Sequence, residues 1–182
     1  MIKEEELREA CVRQAACAMM TAARTAPKGC GVDHLEIGVV TREELPALAD
    51  TMRRIGERDG KGFFLRDAGN VEQSQAVVLI GCHNRTRGLN CGYCGYPTCR
   101  EKSESGCPTL CAFDVTDLGI AVGSAVSVAA DLRVDNRVLY SAGVAAREMG
   151  LLDGCTMIYA IPLSVAGKDI YFDRKSPSCA AR

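Results

Sequence analysis

Five cysteines fall within 21 residues near the middle of the chain, at positions 91, 94, 99, 107 and 111, and nothing else restricts the fold as strongly. The first three form Cys91-Gly-Tyr-Cys94-Gly-Tyr-Pro-Thr-Cys99, a C-x2-C-x4-C pattern. Thiols this close in sequence cannot be spread through a core, so the chain between them must turn about one centre. Gly92 and Gly95 suit such turning, because glycine takes tight backbone conformations and admits close approach. Exposed N–H groups of such a loop can also donate to cluster sulfur. A cubane iron–sulfur cluster takes four thiolates, commonly three from one short loop and one from further off. Structural zinc usually pairs two C-x2-C knuckles, whereas here one knuckle is followed by a cysteine only five positions on. The spacing therefore favours a [4Fe–4S] cluster over zinc, with Cys91, Cys94 and Cys99 as ligands.

The fourth ligand is less constrained. Cys107 precedes Pro108, as the last ligand does in one bacterial ferredoxin run. Cys111 stands at the start of a predicted helix, where the helix dipole favours a thiolate. We expect Cys111 to complete the set, with Cys107 as the alternative and Cys82 a distant third. Of the remaining cysteines, Cys11, Cys17 and Cys155 sit in apolar patterns and read as small core residues. Cys30 lies in a Pro/Gly loop, where it is a core-free and at most reactive thiol, and Cys179 is near the terminus.

Eleven cysteines would suggest disulfides in an exported chain, but the count is odd, and the acidic start Met1-Ile-Lys-Glu-Glu-Glu6 is no signal peptide. The longest apolar run, 118–132, is broken by Asp131 and is too short for a membrane span. Twenty-two basic against 23 acidic side chains leave a net charge of −1, which argues against nucleic acid and anionic membrane as partners. The expectation is a cytoplasmic protein.

Periodicity predicts helices over 4–25, 41–58, 115–133 and 136–149, with a short helical piece within 60–70. Strands are predicted at 34–40, 75–81 and 155–161, the last ended by Pro162, and an edge strand at 170–172 after a turn at 165–169. Asp135, Asn136 and Arg137 read as the cap of the last helix. Residues 75–81 form a continuous apolar run typical of a strand buried on both faces, and they lead directly to Cys82. Strands and helices intermingle along 182 residues, which predicts one three-layer α/β (α+β) domain over 1–182 with a cysteine-rich cluster-binding segment at 82–112.

The cysteine run resembles the C-G-x-C-G-[YF]-x-x-C start of the four-iron cluster domain of redox subunits in anaerobic metabolism. Nearly the whole chain resembles the uncharacterised ferredoxin-domain-containing proteins of anaerobic bacteria and archaea. The segments carrying this likeness are Ala26-Pro27-Lys28, the cysteine run, and residues 117–126, 134–138, 160–164 and 172–174. A fainter likeness, through Ala22-Ala-Arg-Thr-Ala-Pro27 and the 117 helix, is to the nitroreductase fold. That resemblance implies a homodimer with FMN between subunits, and the small-residue helix would form the dimer core. The arginine-rich opening that grips the FMN phosphate is absent, and Lys28 or Arg174 would have to substitute.

Other candidates carry less chemistry. His34 reads as structural; His83 reads as a solvated loop residue, or as a hydrogen-bond or proton partner of the cluster. Arg85, Arg87, Arg100 and Lys102 read as a solvated positive loop, or as a guide for an acidic electron donor. Three functions remain open: electron transfer with a redox partner protein, an FMN-dependent reductase fed by the cluster, and a non-catalytic iron–sulfur sensor or structural zinc module.

Overall fold

A computed structural model describes residues 1–172. Its helices are α1 (Glu4–Thr25), α2 (Leu45–Arg58), α3 (Gly62–Gln73), α4 (Cys99–Glu104), α5 (Ala112–Asp131) and α6 (Tyr140–Glu148). Its strands are β1 (Leu35–Val40), β2 (Ala76–Cys82), β3 (Asp135–Asn136) and β4 (Met157–Ser164). They form one sheet in the order β1-β2-β4-β3, with every neighbouring pair antiparallel.

Alternation along β2 builds the layers. All seven of its residues are buried. Val78, Ile80 and Cys82 face α1 and α5, packing with Val12, Met19, Leu118 and Ala125. Val77 and Leu79 face the opposite way, among Leu48 and Met52 of α2, Phe64 of α3 and Ala145 of α6. A sheet buried on both faces reads as an unbroken apolar run, which is why 75–81 was legible as a central strand. The three layers are as expected.

Local chemistry fixes several boundaries. Thr41 caps the turn leading into α2: its N–H and hydroxyl both donate to Glu44 Oε2, at 2.9 and 3.1 Å. At the end of α1, Lys28 Nζ donates to Ala23 O at 3.0 Å, to Ala26 O at 2.8 Å and to Arg24 O, satisfying carbonyls that the helix cannot pair itself. On α6, a Cβ at Gly143 would lie 1.9 Å from Ile158 O, so only glycine lets this helix rest directly on the β4 backbone.

Five expectations need correction. The buried face of α1 is Val12, Ala15, Ala16, Met19 and Ala23, and Cys11 and Cys17 point outward. Pro162 does not end the last strand; it pairs with Val77 inside β4. Ala160 donates to Leu139 O at 3.3 Å, on the edge away from β2. Pro162, two residues on, faces that same edge and has no N–H to give. The edge ladder accordingly breaks between Asn136 and Leu139, leaving the short β3 and one isolated bridge. Residues 135–136 are thus strand, not helix cap, and α6 begins only at Tyr140. Finally, 170–172 form a turn. There the Tyr171 N–H donates to Asp169 Oδ1 at 2.9 Å and Arg137 donates to Tyr171 O at 3.1 Å, so side chains replace a strand partner.

At 20 residues, α5 is long and apolar enough by length and composition to cross a membrane, more than the 118–132 run suggested. Its Ala121, Ala125 and Ala129 are buried in the core shared with α1, and it also buries Asp114 and Asp117. Those carboxylates and that packing are the marks of a core helix.

Candidate metal centre

β2 delivers the chain to Cys82, which is buried; burial, with Asp114 nearby, pushes its thiol up to about 12. The cysteine loop follows. Asn90, Gly92 and Gly95 take left-handed backbone angles, with φ of 47°, 72° and 88°. Gly95 N–H donates to Gly92 O at 2.9 Å, closing the turn between Cys91 and Cys94. Asn90 Oδ1 accepts from Cys99 N–H at 2.9 Å, and that bond draws the two ends of the loop together. Thr98 then caps α4, accepting from Glu101 N–H at 3.2 Å, and Cys99 is the first helical residue.

Cys111 occupies a different environment. It is the N-cap residue of α5 and only 5% exposed, whereas Cys91 is exposed and Cys94 and Cys99 are half-buried. Two sets of contacts bring the loop towards it. The Tyr93 ring stacks on Phe113 in the first turn of α5, with centroids 6.2 Å apart. From the other side, Asn84 Oδ1 accepts from Lys102 Nζ of α4 at 2.8 Å and from Cys111 N–H at 3.3 Å, while Asn84 Nδ2 donates to Thr109 O at 3.1 Å. α5 begins at Ala112, three residues earlier than predicted, which makes Cys111 its N-cap residue.

Cys107 is exposed and stands apart by its chemistry. Its sulfur lies 3.0 Å from Thr109 Oγ1, and the Thr109 and Tyr96 hydroxyls bring the thiol down to about 7. Its iodoacetamide labelling rate should therefore rise through a midpoint near pH 7, below that of an ordinary thiol. Peptide mapping of modified protein measures this directly. Cys155, raised to about 11 by burial, should remain unlabelled over the same range.

Beneath the loop is an ionic cluster that the sequence reading missed. Arg87, with its side chain 2% exposed, donates to Asp114 Oδ1 at 2.8 Å and to Asp117 Oδ2 at 2.6 Å. Asp114 also accepts from Arg85 N–H at 2.8 Å and lies 3.0 Å from His34 Nδ1, which contacts Arg87 as well. Asp117 Oδ1 accepts from Gly29 N–H at 2.9 Å. Gly29, His34, Arg85, Asp114 and Asp117 thus gather about one guanidinium, and Arg87 Nε is buried there without a hydrogen-bond partner. Neither Arg87 nor Lys102 is the solvated cation expected; Lys102 is itself 5% exposed. Arg100 instead pairs with Glu104 on the surface of α4 at 2.7 Å. The available signal was the pair Asp114 and Asp117, one helical turn apart at the start of an otherwise apolar helix.

Other candidates also take definite places. His34 is structural, as read. His83 is not a solvated residue: its side chain is 17% exposed and bonded on both nitrogens. Cys155 is buried as expected, and Cys30 is an exposed residue at a left-handed φ of 57°. Arg174 and Cys179 lie outside the described residues.

Two packed helical layers about this antiparallel sheet give the chain a nitroreductase-like fold. The structure aligns with the hypothetical oxidoreductase YcnD from Bacillus subtilis at a TM-score of 0.55 and 14% identity, covering 86% of this chain and 59% of that one. Nitroreductase A from Vibrio parahaemolyticus gives 0.56 at 11% identity, covering 86% and 60%. A BluB-like flavoprotein from Clostridium difficile gives 0.55 at 18% identity, covering 91% and 84%. The chain therefore spans about three-fifths of the Bacillus and Vibrio proteins. Residues 108–174 match the family described as uncharacterized protein containing a ferredoxin domain (DUF2148). An uncharacterized protein of Archaeoglobus fulgidus is 42% identical over 181 residues, covering 96% of this chain and 97% of its own. The chain belongs to this ferredoxin-domain family.

The turn after α1 does not fit the phosphate of FMN. Lys28 is 6% exposed and spent on helix carbonyls, and Arg24 Nη1 is held by Asp33 at 2.7 Å and by Leu35 O at 2.9 Å. The cysteine loop does fit a cluster in its donor chemistry: soft thiols, left-handed glycines that turn the chain between them, and one buried cysteine at a helix N-terminus.

Proposed function

We propose that this chain holds one [4Fe–4S] cluster on Cys91, Cys94, Cys99 and Cys111 and passes single electrons to or from a redox partner protein. The observation carrying this reading is the loop geometry. Two left-handed glycines turn the chain between three cysteines, and the Tyr93–Phe113 and Lys102–Asn84 contacts tie the loop and α4 to the residues around Cys111.

When bound, the cluster supplies a one-electron couple. The chain's part is to hold, shield and expose it. The α5 N-terminus places partial positive charge beside Cys111, which suits an anionic cluster. Phe113 backs the loop on one side. Cys91 and Tyr93, the latter 78% exposed, keep the opposite edge at the surface, where a partner can approach. Arg85 is exposed on the loop leading to the cysteines and suits an acidic partner. The reading includes a second copy of the chain covering the outer face of α5, where Gly119 and Gly123 lack packing neighbours and Ile120 is 41% exposed. It also places the protein in a reducing cytoplasm, in keeping with ten unpaired cysteines among the described residues.

Iron, acid-labile sulfide and flavin measured on one anaerobic preparation test the proposal. About four iron and four sulfide per chain are expected, with an EPR signal on reduction. Zinc bound to all four motif sulfurs, without inorganic sulfide, would overturn it. Stoichiometric flavin would replace simple electron transfer with a flavin-dependent reductase.

A further inference from the structure

Three chain segments place a second set of metal-binding atoms away from the cysteine loop. Glu36 is on β1, His83 follows β2, and Cys155 precedes β4. The Glu36 carboxylate oxygen, a His83 ring nitrogen and Cys155 Sγ all lie within 4.8 Å of one another.

The orientation of the His83 ring gives the cluster its meaning. Nδ1 is 3.0 Å from Gly154 O. A carbonyl only accepts, so Nδ1 carries a proton. In the neutral ring this turns the Nε2 lone pair towards Glu36 Oε1, 3.0 Å away. Two acceptors face each other at that distance only when a cation lies between them, either a proton or a metal ion. A buried sulfur within 4.8 Å of both atoms favours the metal ion. An imidazolium–carboxylate pair needs no thiol beside it, whereas a borderline metal takes nitrogen, oxygen and sulfur together. Histidine ligands commonly donate their other N–H to a carbonyl, as His83 does to Gly154.

The backbone around the triad leaves room for this arrangement. Gly154 has a φ of +74°, and a Cβ there would lie 3.2 Å from His83 Cε1 and 3.3 Å from Nδ1. A Cβ at Gly81, in the strand alongside, would lie 2.9 Å from Cys155 Sγ. Glycine at both positions lets the ring and the thiol occupy their places. Cys155 is 6% exposed, while the Glu36 side chain is 45% exposed, so a bound ion would be anchored from inside and open to water outside.

We infer that Glu36, His83 and Cys155 bind one zinc ion per chain, through a carboxylate oxygen, Nε2 and Sγ, with water at the fourth position. Binding displaces the Cys155 thiol proton to solvent, and no electrons are exchanged. Three protein ligands and an open position are the arrangement of reactive zinc sites, in contrast to the closed four-ligand structural type. The site would join β1, β2 and β4 where the sheet opens into the cysteine loop.

The test uses the full chain with its iron content recorded, equilibrated with zinc sulfate, desalted and analysed for metals. Wild-type protein should retain about one zinc per chain, with a zinc X-ray absorption spectrum showing one sulfur at about 2.3 Å and nitrogen or oxygen at about 2.0–2.1 Å. His83→Ala and Cys155→Ala should lose that zinc while iron is unchanged. Glu36→Gln, at a half-exposed position that leaves the core intact, should weaken retention by about 10-fold or more. Zinc absent from the wild type, zinc retained undiminished in all three variants, or zinc surrounded by four sulfurs would each overturn the inference. The first two outcomes leave the iron–sulfur reading untouched, and the third moves the zinc to the motif cysteines.

Discussion

Arg87→Met is expected to lower the melting temperature by roughly 10 °C, although position 87 lies in an irregular loop. Methionine keeps the length and apolar stem of the side chain and removes only the guanidinium. Asp114 and Asp117 side chains, 0% and 3% exposed, would then be buried carboxylates without their cation. Removing one partner of such a pair typically costs about 3–5 kcal/mol. In a chain of this size each kcal/mol corresponds to about 2–4 °C. Arg87→Lys should recover only part of the loss, because an ammonium lacks the planar fork that reaches two carboxylates at once. Arg85→Met, two residues away and exposed, should change stability by less than about 0.5 kcal/mol. Equal melting temperatures for the 85 and 87 variants would show that the cluster contributes nothing. Thermal unfolding followed by circular dichroism decides between these outcomes.

That network also marks where reading from sequence stopped. Patterns set by neighbours in the chain were legible: β2 from its apolar run, α1 and α2 from their helical spacing, and the cysteine loop from its glycines and short intervals. Features set by partners far away in sequence were not. Asp114 meets His34, 80 residues earlier, and Asp117 meets Gly29, 88 residues earlier. Nothing in the local composition of 85–87 separates an arginine destined for the core from one destined for water.

Pro162 makes the same point at a strand. Its missing N–H should end pairing, and it does so on one edge only, because a strand residue directs its backbone polar groups to a single side. Which side that is depends on register with β2 and β3. Ala121, Ala125 and Ala129 of α5 meet α1 of the same chain across the core, a partner that local composition does not name. Likewise Glu36, His83 and Cys155 are separated by 47 and 72 residues, so that only the sheet brings them together.

The largest effect is expected at the cysteines themselves. Cys94→Ala should remove essentially all bound iron and the broad visible absorption that accompanies it, with little change in far-ultraviolet circular dichroism. Cys94 belongs to an irregular surface loop whose removal from the cluster leaves both cores in place. Cys111→Ala should have the same effect on iron, because a cubane that has lost one of four thiolates is left with an unprotected iron. The helix should tolerate the change: Cys111 makes no side-chain cap bond, so alanine removes no capping interaction from α5. Cys107→Ala should keep its iron and lose the labelling midpoint near pH 7. If iron instead survives Cys111→Ala and is lost in Cys107→Ala, the fourth ligand is the exposed thiol beside Thr109. The cluster then moves outward, away from the α5 N-terminus, and the helix dipole no longer stabilises its ligand set. Retention of full iron by Cys94→Ala would remove the basis for placing a cluster in this loop at all.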